Sequence, residues 1–471
     1  MWPAIVAVVT LLGTTDVPFE KLAQTFREKH AVTKNASDDV LQDVIARDYA
    51  SLELGLFELC HPAAPLVDAK QAKDLLDIAA AILDLQREWL VWVNAGARSE
   101  TEQHCVALGR WLRALKPGAL AAAAVQTAGD RDLLVALKAD AATLADAAAL
   151  RAALVTGSCI GLDRKDARPV RLVLEPTRAD FLCLASFVGT FDDAARELLW
   201  VDSLPVWTEF RRNSIQVLAL EYGVTPTGKD DLFRGTDMNG REGKGLLQHV
   251  TQKAADLLLR EYHGASLDPS LELGLAINMV IELYGENNAR AGGSGSGSMT
   301  SQYSKFVAGG KSSGGQLARR NADSRFRESK GRDHFVAALR TSQRQGAELA
   351  AKNDKSLRGD CAWFALSESS AAATPTAVRA PFLCDRPDQD VPANLRNDYL
   401  EFLRAYKSAF AHWLETKAVP NDPTITTADA FARMLRPATN LADVYGAPLS
   451  SADPALDTLE TRFLKWLAKQ K

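Results

Sequence analysis

The chain has 471 residues, 47% of them hydrophobic and 24% charged, with a formal net charge of −4. That length exceeds what one hydrophobic core usually organises, so two or three globular domains are expected. The small negative charge disfavours nucleic acid or an anionic membrane as a partner of the whole chain, and no apolar run reaches the roughly 20 residues that a bilayer span needs.

Trp2 to Gly13 is an apolar stretch of signal-peptide length, without a basic segment before it or an obvious A-x-A-like cleavage site. Residues 1–18 are therefore expected to be a signal segment of an exported protein, periplasmic or extracellular. The alternative is a buried first helix or strand. From about Phe19 to Val155 the chain reads as helix after helix. Leu75, Ile78, Ala79, Ile82, Leu85 and Leu90 recur at helical spacing, as do Leu133, Leu134, Leu137 and Leu144. Breaks at His61-Pro62, Pro65 and Lys116-Pro117-Gly118 separate them, and an N-terminal helical domain over 19–155 is expected.

The six cysteines, Cys60, Cys105, Cys159, Cys183, Cys361 and Cys384, are an even set that permits three disulfides. Cys60-His61 and His104-Cys105 form a mirrored pair. Adjacent helix residues diverge by about 100°, which makes convergence on zinc awkward. A Cys60–Cys105 disulfide stapling two helices is the economical reading, with Cys361–Cys384 as the second pair. Buried thiols are the alternative.

The pattern changes after Thr156-Gly157. Val170 to Leu174 and Ile215 to Leu220 are short β-rich runs, closed by Pro176 and Gly223. A polar loop from Thr225 to Gly245 leads into a helix over Leu246 to Tyr262. A second helix, about Ser270 to Tyr284, is apolar almost all round and should be buried. Residues 168–290 thus form an α+β domain, and the whole chain a mainly helical α+β protein. Gly292 to Ser298 has linker composition. Lys305 to Arg332 carries eight Lys and Arg against Asp323 and Glu328, and 291–332 is expected to be a flexible, solvated basic loop. Helical sequence resumes in 333–471, over 333–353, 393–417 and 454–470. There Tyr399, Phe402, Tyr406, Phe410 and Trp413 form a helical stripe expected to pack a core.

From His249 to Glu282 the chain reads HVTQKAADLLLREYHGASLDPSLELGLAINMVIE. This stretch resembles gluzincin-type zinc metallopeptidases of the peptidase-MA-like group. Those proteins carry H-E-x-x-H on one helix and, after a loop, a second helix with a Glu-Gly-Leu-Ala-like opening. The likeness rests on His249, Leu267-Asp268-Pro269 and Gly274-Leu275-Ala276. It extends to a closing helix with Leu459-Glu460 and Phe463-Leu464-Lys465-Trp466-Leu467, and spans roughly residues 168–471. It implies a zincin-like domain with a small sheet and a C-terminal helical part.

In that family two His at i and i+4 bind zinc, the first Glu is the general base, and a Glu on the following helix completes the site. Here His249 holds the first ligand position. Val250 replaces the base and has no titratable group. Lys253 replaces the second ligand, and an ammonium has no lone pair for a metal. Leu273 stands at the third ligand position, while Glu272 is one residue out of phase and points about 100° away. The resemblance therefore implies a vestigial site with no catalytic residue, no metal and no cofactor. The expected function is a pseudoenzyme acting as an exported binding or scaffolding module for a peptide or protein ligand. The alternative is a hydrolase with a rearranged active site elsewhere. Val250, Ala254, Leu257 and Leu258 share a core stripe. His249, Lys253, Asp256 and Arg260 share the other side, which is expected to be a solvated face with ion-pair spacing.

Overall fold

The computed structural model describes residues 19–62, 69–93, 98–126, 132–155, 169–175, 178–190, 207–210, 215–219, 244–263, 267, 269–287, 331–340, 396–436, 439–451, 453 and 455–470. The chain divides into two compact units. The first comprises Met1–Arg87, Ala95–Leu247 and Met299–Ser312, and the second Glu88–Asn94, Gln248–Ser298 and Ser313–Lys471. Helix predominates, with one mixed sheet, so the chain is mainly helical α+β.

The first unit opens with α1 (Phe19–Lys29) and α2 (Asp38–Asp48), the latter capped by Ser37, whose side chain accepts from the Val40 N–H. Strands β1 (Tyr49–Leu54) and β2 (Phe57–Pro62) form an antiparallel hairpin with Leu54 opposite Phe57. Gly55 makes its turn at φ +66°, a conformation that a side chain opposes. Gln86 of α3 (Ala69–Trp92) accepts the Leu56 N–H at 2.7 Å and closes the loop. Then follow α4 (Arg98–Ala114), α5 (Pro117–Gln126), α6 (Leu133–Ala136) and α7 (Ala141–Val155). Next come β3 (Val170–Glu175), α8 (Arg178–Val188), β4 (Trp207–Phe210) and β5 (Ile215–Ala219).

The strand order is β1-β2-β3-β5-β4, parallel at β2/β3 and β3/β5 and antiparallel at both edges. Cys60 lies opposite Val173, and both pack into one core with Phe26 of α1, Val44 of α2, and Phe181 and Phe187 of α8. Here the structure corrects the helix-after-helix reading of 19–155. Two strands of that stretch belong to the sheet, and Ala95–Leu247 lies within a single unit. The cue was present as Leu52-Glu53-Leu54 and Phe57-Glu58-Leu59, two period-2 runs around a glycine.

The expected Cys60–Cys105 disulfide is also corrected. Cys60 sits on β2 inside the core just described, Cys105 lies on α4, a helix that packs against α7, and both are buried thiols. Cys183 is a third. The mirrored histidines have different partners: His61 Nδ1 lies 2.8 Å from the Pro62 carbonyl, and His104 Nδ1 lies 2.8 Å from Asp146 of α7. Cys361, Cys384, the segment 1–18 and most of the basic stretch fall outside the described residues.

The second unit contains most of α9 (Lys244–His263), then α10 (Pro269–Tyr284), a helix at 332–340 (α11), α12 (Arg396–Thr416), α13 (Thr427–Met434), α14 (Leu441–Tyr445) and α15 (Leu459–Ala468). As its sequence requires, α10 is buried on nearly all sides. It packs on α12 through Gly274, where a Cβ would stand 2.2 Å from the Lys407 carbonyl oxygen. One turn on, Asn278 donates to the Ser408 carbonyl at 3.0 Å and accepts from the Ser408 hydroxyl at 2.5 Å. The described part of the aromatic stripe packs as expected: Tyr406, Phe410 and Trp413 surround Phe463 of α15, with ring centroids 5.4–5.9 Å away. Arg332 departs from the solvated-loop reading. It is ion-paired with Glu282 of α10 and Glu415 of α12. Among the described residues, no helix is long and apolar enough to cross a membrane.

Candidate functional site

Helix α9 carries His249, Val250 and Lys253, and α10 carries Leu273. Val250 is buried with Ala254, Leu257 and Leu258, so the apolar stripe lies in the core. The opposite side is not the solvated face that its spacing suggested, because Lys253 and Asp256 are each only 7% exposed. Arg260 reaches back one turn to Asp256 at 3.1 Å and across to Glu272 of α10 at 3.4 Å. Glu272 is 3% exposed, whereas Leu273 is half-buried. Glu272, and not Leu273, is therefore turned towards α9. For His249 the helix backbone is described and the side chain is not.

The remaining polar side of α9 is also covered. Thr251 Oγ1 lies 3.0 Å from the Tyr284 hydroxyl, and Gln252 accepts from Asn287 Nδ2 at 2.9 Å. Arg404 of α12 donates to the Asn287 carbonyl at 2.6 Å. Amide and hydroxyl bonds thus hold the C-terminal end of α10, and charges hold its N-terminal end. Buried carboxylates persist only when paired, and Arg260 supplies a forked donor that serves both Asp256 and Glu272. Among the described residues, no group of three or more His, Cys, Asp or Glu side chains is arranged to hold a metal ion.

A second polar cluster, in the first unit, was not found by motif. It lies at one end of the sheet, where β2 and β3 finish and β1 starts. Glu175, the last residue of β3, is 1% exposed and accepts the Tyr49 hydroxyl at 2.5 Å on Oε1, while its Oε2 is buried without a hydrogen-bond partner. Burial, reinforced by Asp180, pushes the Glu175 carboxyl up to about 7, with Lys29 and the Tyr49 hydroxyl acting in the other direction. Lys29 bonds Asp180 of α8 at 2.6 Å. Burial works against the Lys29 charge, but Glu175 and Asp180 outweigh it and raise its pKa.

Around these four, His30 Nδ1 lies 2.8 Å from Asp48, which Arg47 also binds. Burial lowers the pKa of His30 against the pull of Asp48, and burial lowers His61 to about 4. Burial, with Asp180 beside it, raises the Cys183 thiol to about 12, so it is no nucleophile at neutral pH. The one sequence cue to this cluster was a Glu closing an otherwise apolar strand, in Leu172-Val173-Leu174-Glu175.

Compared with known proteins, the chain matches no family model, no curated protein and no solved structure.

Proposed function

We propose that the chain is a non-catalytic, peptidase-like protein, a binding or scaffolding module for a peptide or protein ligand. The observation that carries this reading is the charge cluster between α9 and α10. The positions at which a gluzincin carries its general base and its second metal ligand hold the buried Val250 and the buried Lys253. The acidic side chain that does face α9, Glu272, is bound by Arg260. In a metallopeptidase the metal's positive charge offsets the acidic ligand. Here a guanidinium one helical turn from Asp256 has that role, and it cannot polarise a water as zinc does. The zincin-like character of the fold belongs to the same proposal and rests on the motif positions.

Purified protein is expected to contain no stoichiometric zinc and to show no chelator-sensitive peptidase activity. Elemental analysis, with a peptide-cleavage assay run with and without chelator, checks both. One zinc per chain, removed by chelator and lost in His249→Ala, would overturn the proposal, since it would mean that ligands other than those aligned here complete a metal site.

A further inference from the structure

At the end of the sheet, Glu175 is buried beside Tyr49 and close to the Lys29–Asp180 pair. Lys29 pairs with Asp180, and the deeper Glu175 carboxyl has an oxygen with no partner. From this arrangement we propose that Lys29, Tyr49, Glu175 and Asp180 form a proton-operated latch tying α1 and α8 to the sheet, tight while Glu175 carries its proton and loosened when the proton leaves.

The geometry gives each group a part. Protonated, the Glu175 carboxyl lies buried against the Tyr49 hydroxyl without net charge, while Lys29 pairs with Asp180 between α1 and α8. Ionised, Glu175 places a negative charge in a site that water does not reach. It competes with Asp180 for the same ammonium, and the favourable response is to let solvent in at that edge. The edge is the accessible one: the Lys29 and Asp180 side chains are 32% and 19% exposed. Apolar contacts set how far the opening spreads. Leu22, Ala23 and Phe26 hold α1 to α8, with Phe26 stacked on Phe187 at 4.6 Å. Cys183 on α8 and Cys60 on β2 face the same core, and both thiols stay protonated throughout. On β2 and β3, Glu58 and Arg171 pair with each other at 2.7 Å.

The sign follows from the raised carboxyl. Stability linked to Glu175 is present in full below its ordinary value of 4.5 and is lost as pH rises to about 7. His30 and His61, whose folded values are lowered, contribute the opposite slope in part of that range. Comparison of wild type with Glu175→Gln cancels the histidine terms.

The test is native-state hydrogen exchange at the amides of α1 and α8, corrected for intrinsic exchange rate. The opening equilibrium of wild type relative to Glu175→Gln should rise by up to about tenfold per pH unit between about pH 5 and 7, then level off. A ratio that stays constant over that range overturns the latch. Infrared spectroscopy of the unmodified chain keeps the idea falsifiable if the Gln variant does not fold. A carboxylic-acid C=O band should vanish near neutral pH, and Tyr49→Phe should move that midpoint upward, because the lost hydroxyl favoured the anion. Absence of any carboxylic-acid band titrating near neutrality also overturns it.

Discussion

Gly274→Ala should destabilise the second unit by about 3 kcal/mol, the upper part of the range for inserting a methyl group into a packed core. The added carbon would lie 2.2 Å from the Lys407 carbonyl oxygen and 2.6 Å from its carbonyl carbon. Both belong to the α12 backbone, so no rotamer change relieves the contact and the two helices must separate. Separation also strains the Asn278–Ser408 pair one turn away, whose two buried hydrogen bonds are each worth about 1 kcal/mol net. Chemical denaturation of the variant against the parent chain reads the effect. A loss within about 0.5 kcal/mol, the range of an ordinary surface change, would mean that α10 and α12 do not approach this closely. The glycine of the Gly-Leu-Ala stretch thus has a packing reason to be there, independent of any chemistry on the preceding residue.

Arg260→Met should destabilise the same unit by about 3 kcal/mol at neutral pH, the low end of the range for breaking a buried ion pair. The low end applies because the Arg260 side chain is 28% exposed, so solvent already screens part of the interaction. Its removal leaves Asp256 and Glu272 with one cation fewer in a buried setting. The deficit should shrink on acidification, as either carboxylate can then take up a proton, and Glu272→Gln in the Arg260→Met background should recover part of it. Thermal melts of the single and double variants at neutral and acidic pH separate these outcomes. Additive losses in the double variant would show that Arg260 and Glu272 are not coupled, and the charge-cluster account of α9 and α10 would fall with that result.

Much of the fold was readable from short-range pattern. The strand expected at Val170–Leu174 is Val170–Glu175, and that at Ile215–Leu220 is Ile215–Ala219. The helices expected at 246–262 and 270–284 are Lys244–His263 and Pro269–Tyr284. Each is a run whose apolar period repeats within a few residues, and the signal needs no knowledge of what the element packs on. The same holds for the Asp256–Arg260 pair, since i and i+4 are neighbours on any helix.

The composition and residue types of the chain by themselves determined that it is a mainly helical α+β protein, and that Val250 and Leu273 bring no titratable group to α9 and α10. Local periodicity and functional-group chemistry are written residue by residue. What only the tertiary structure decided is which of those residues meet. Lys253 and Asp256 lie on a face that spacing marks as polar, and they became buried because other parts of the chain cover it. Cys60 and Cys105, matched as a pair by their neighbouring histidines, went to different packing environments because β2 entered the sheet while α4 packed on α7. Tyr49 and Glu175 are 126 residues apart in sequence and 2.5 Å apart in space. No period in a single chain encodes a contact at that separation. It follows from strand pairing and from the burial of whole faces, which are properties of the assembled core.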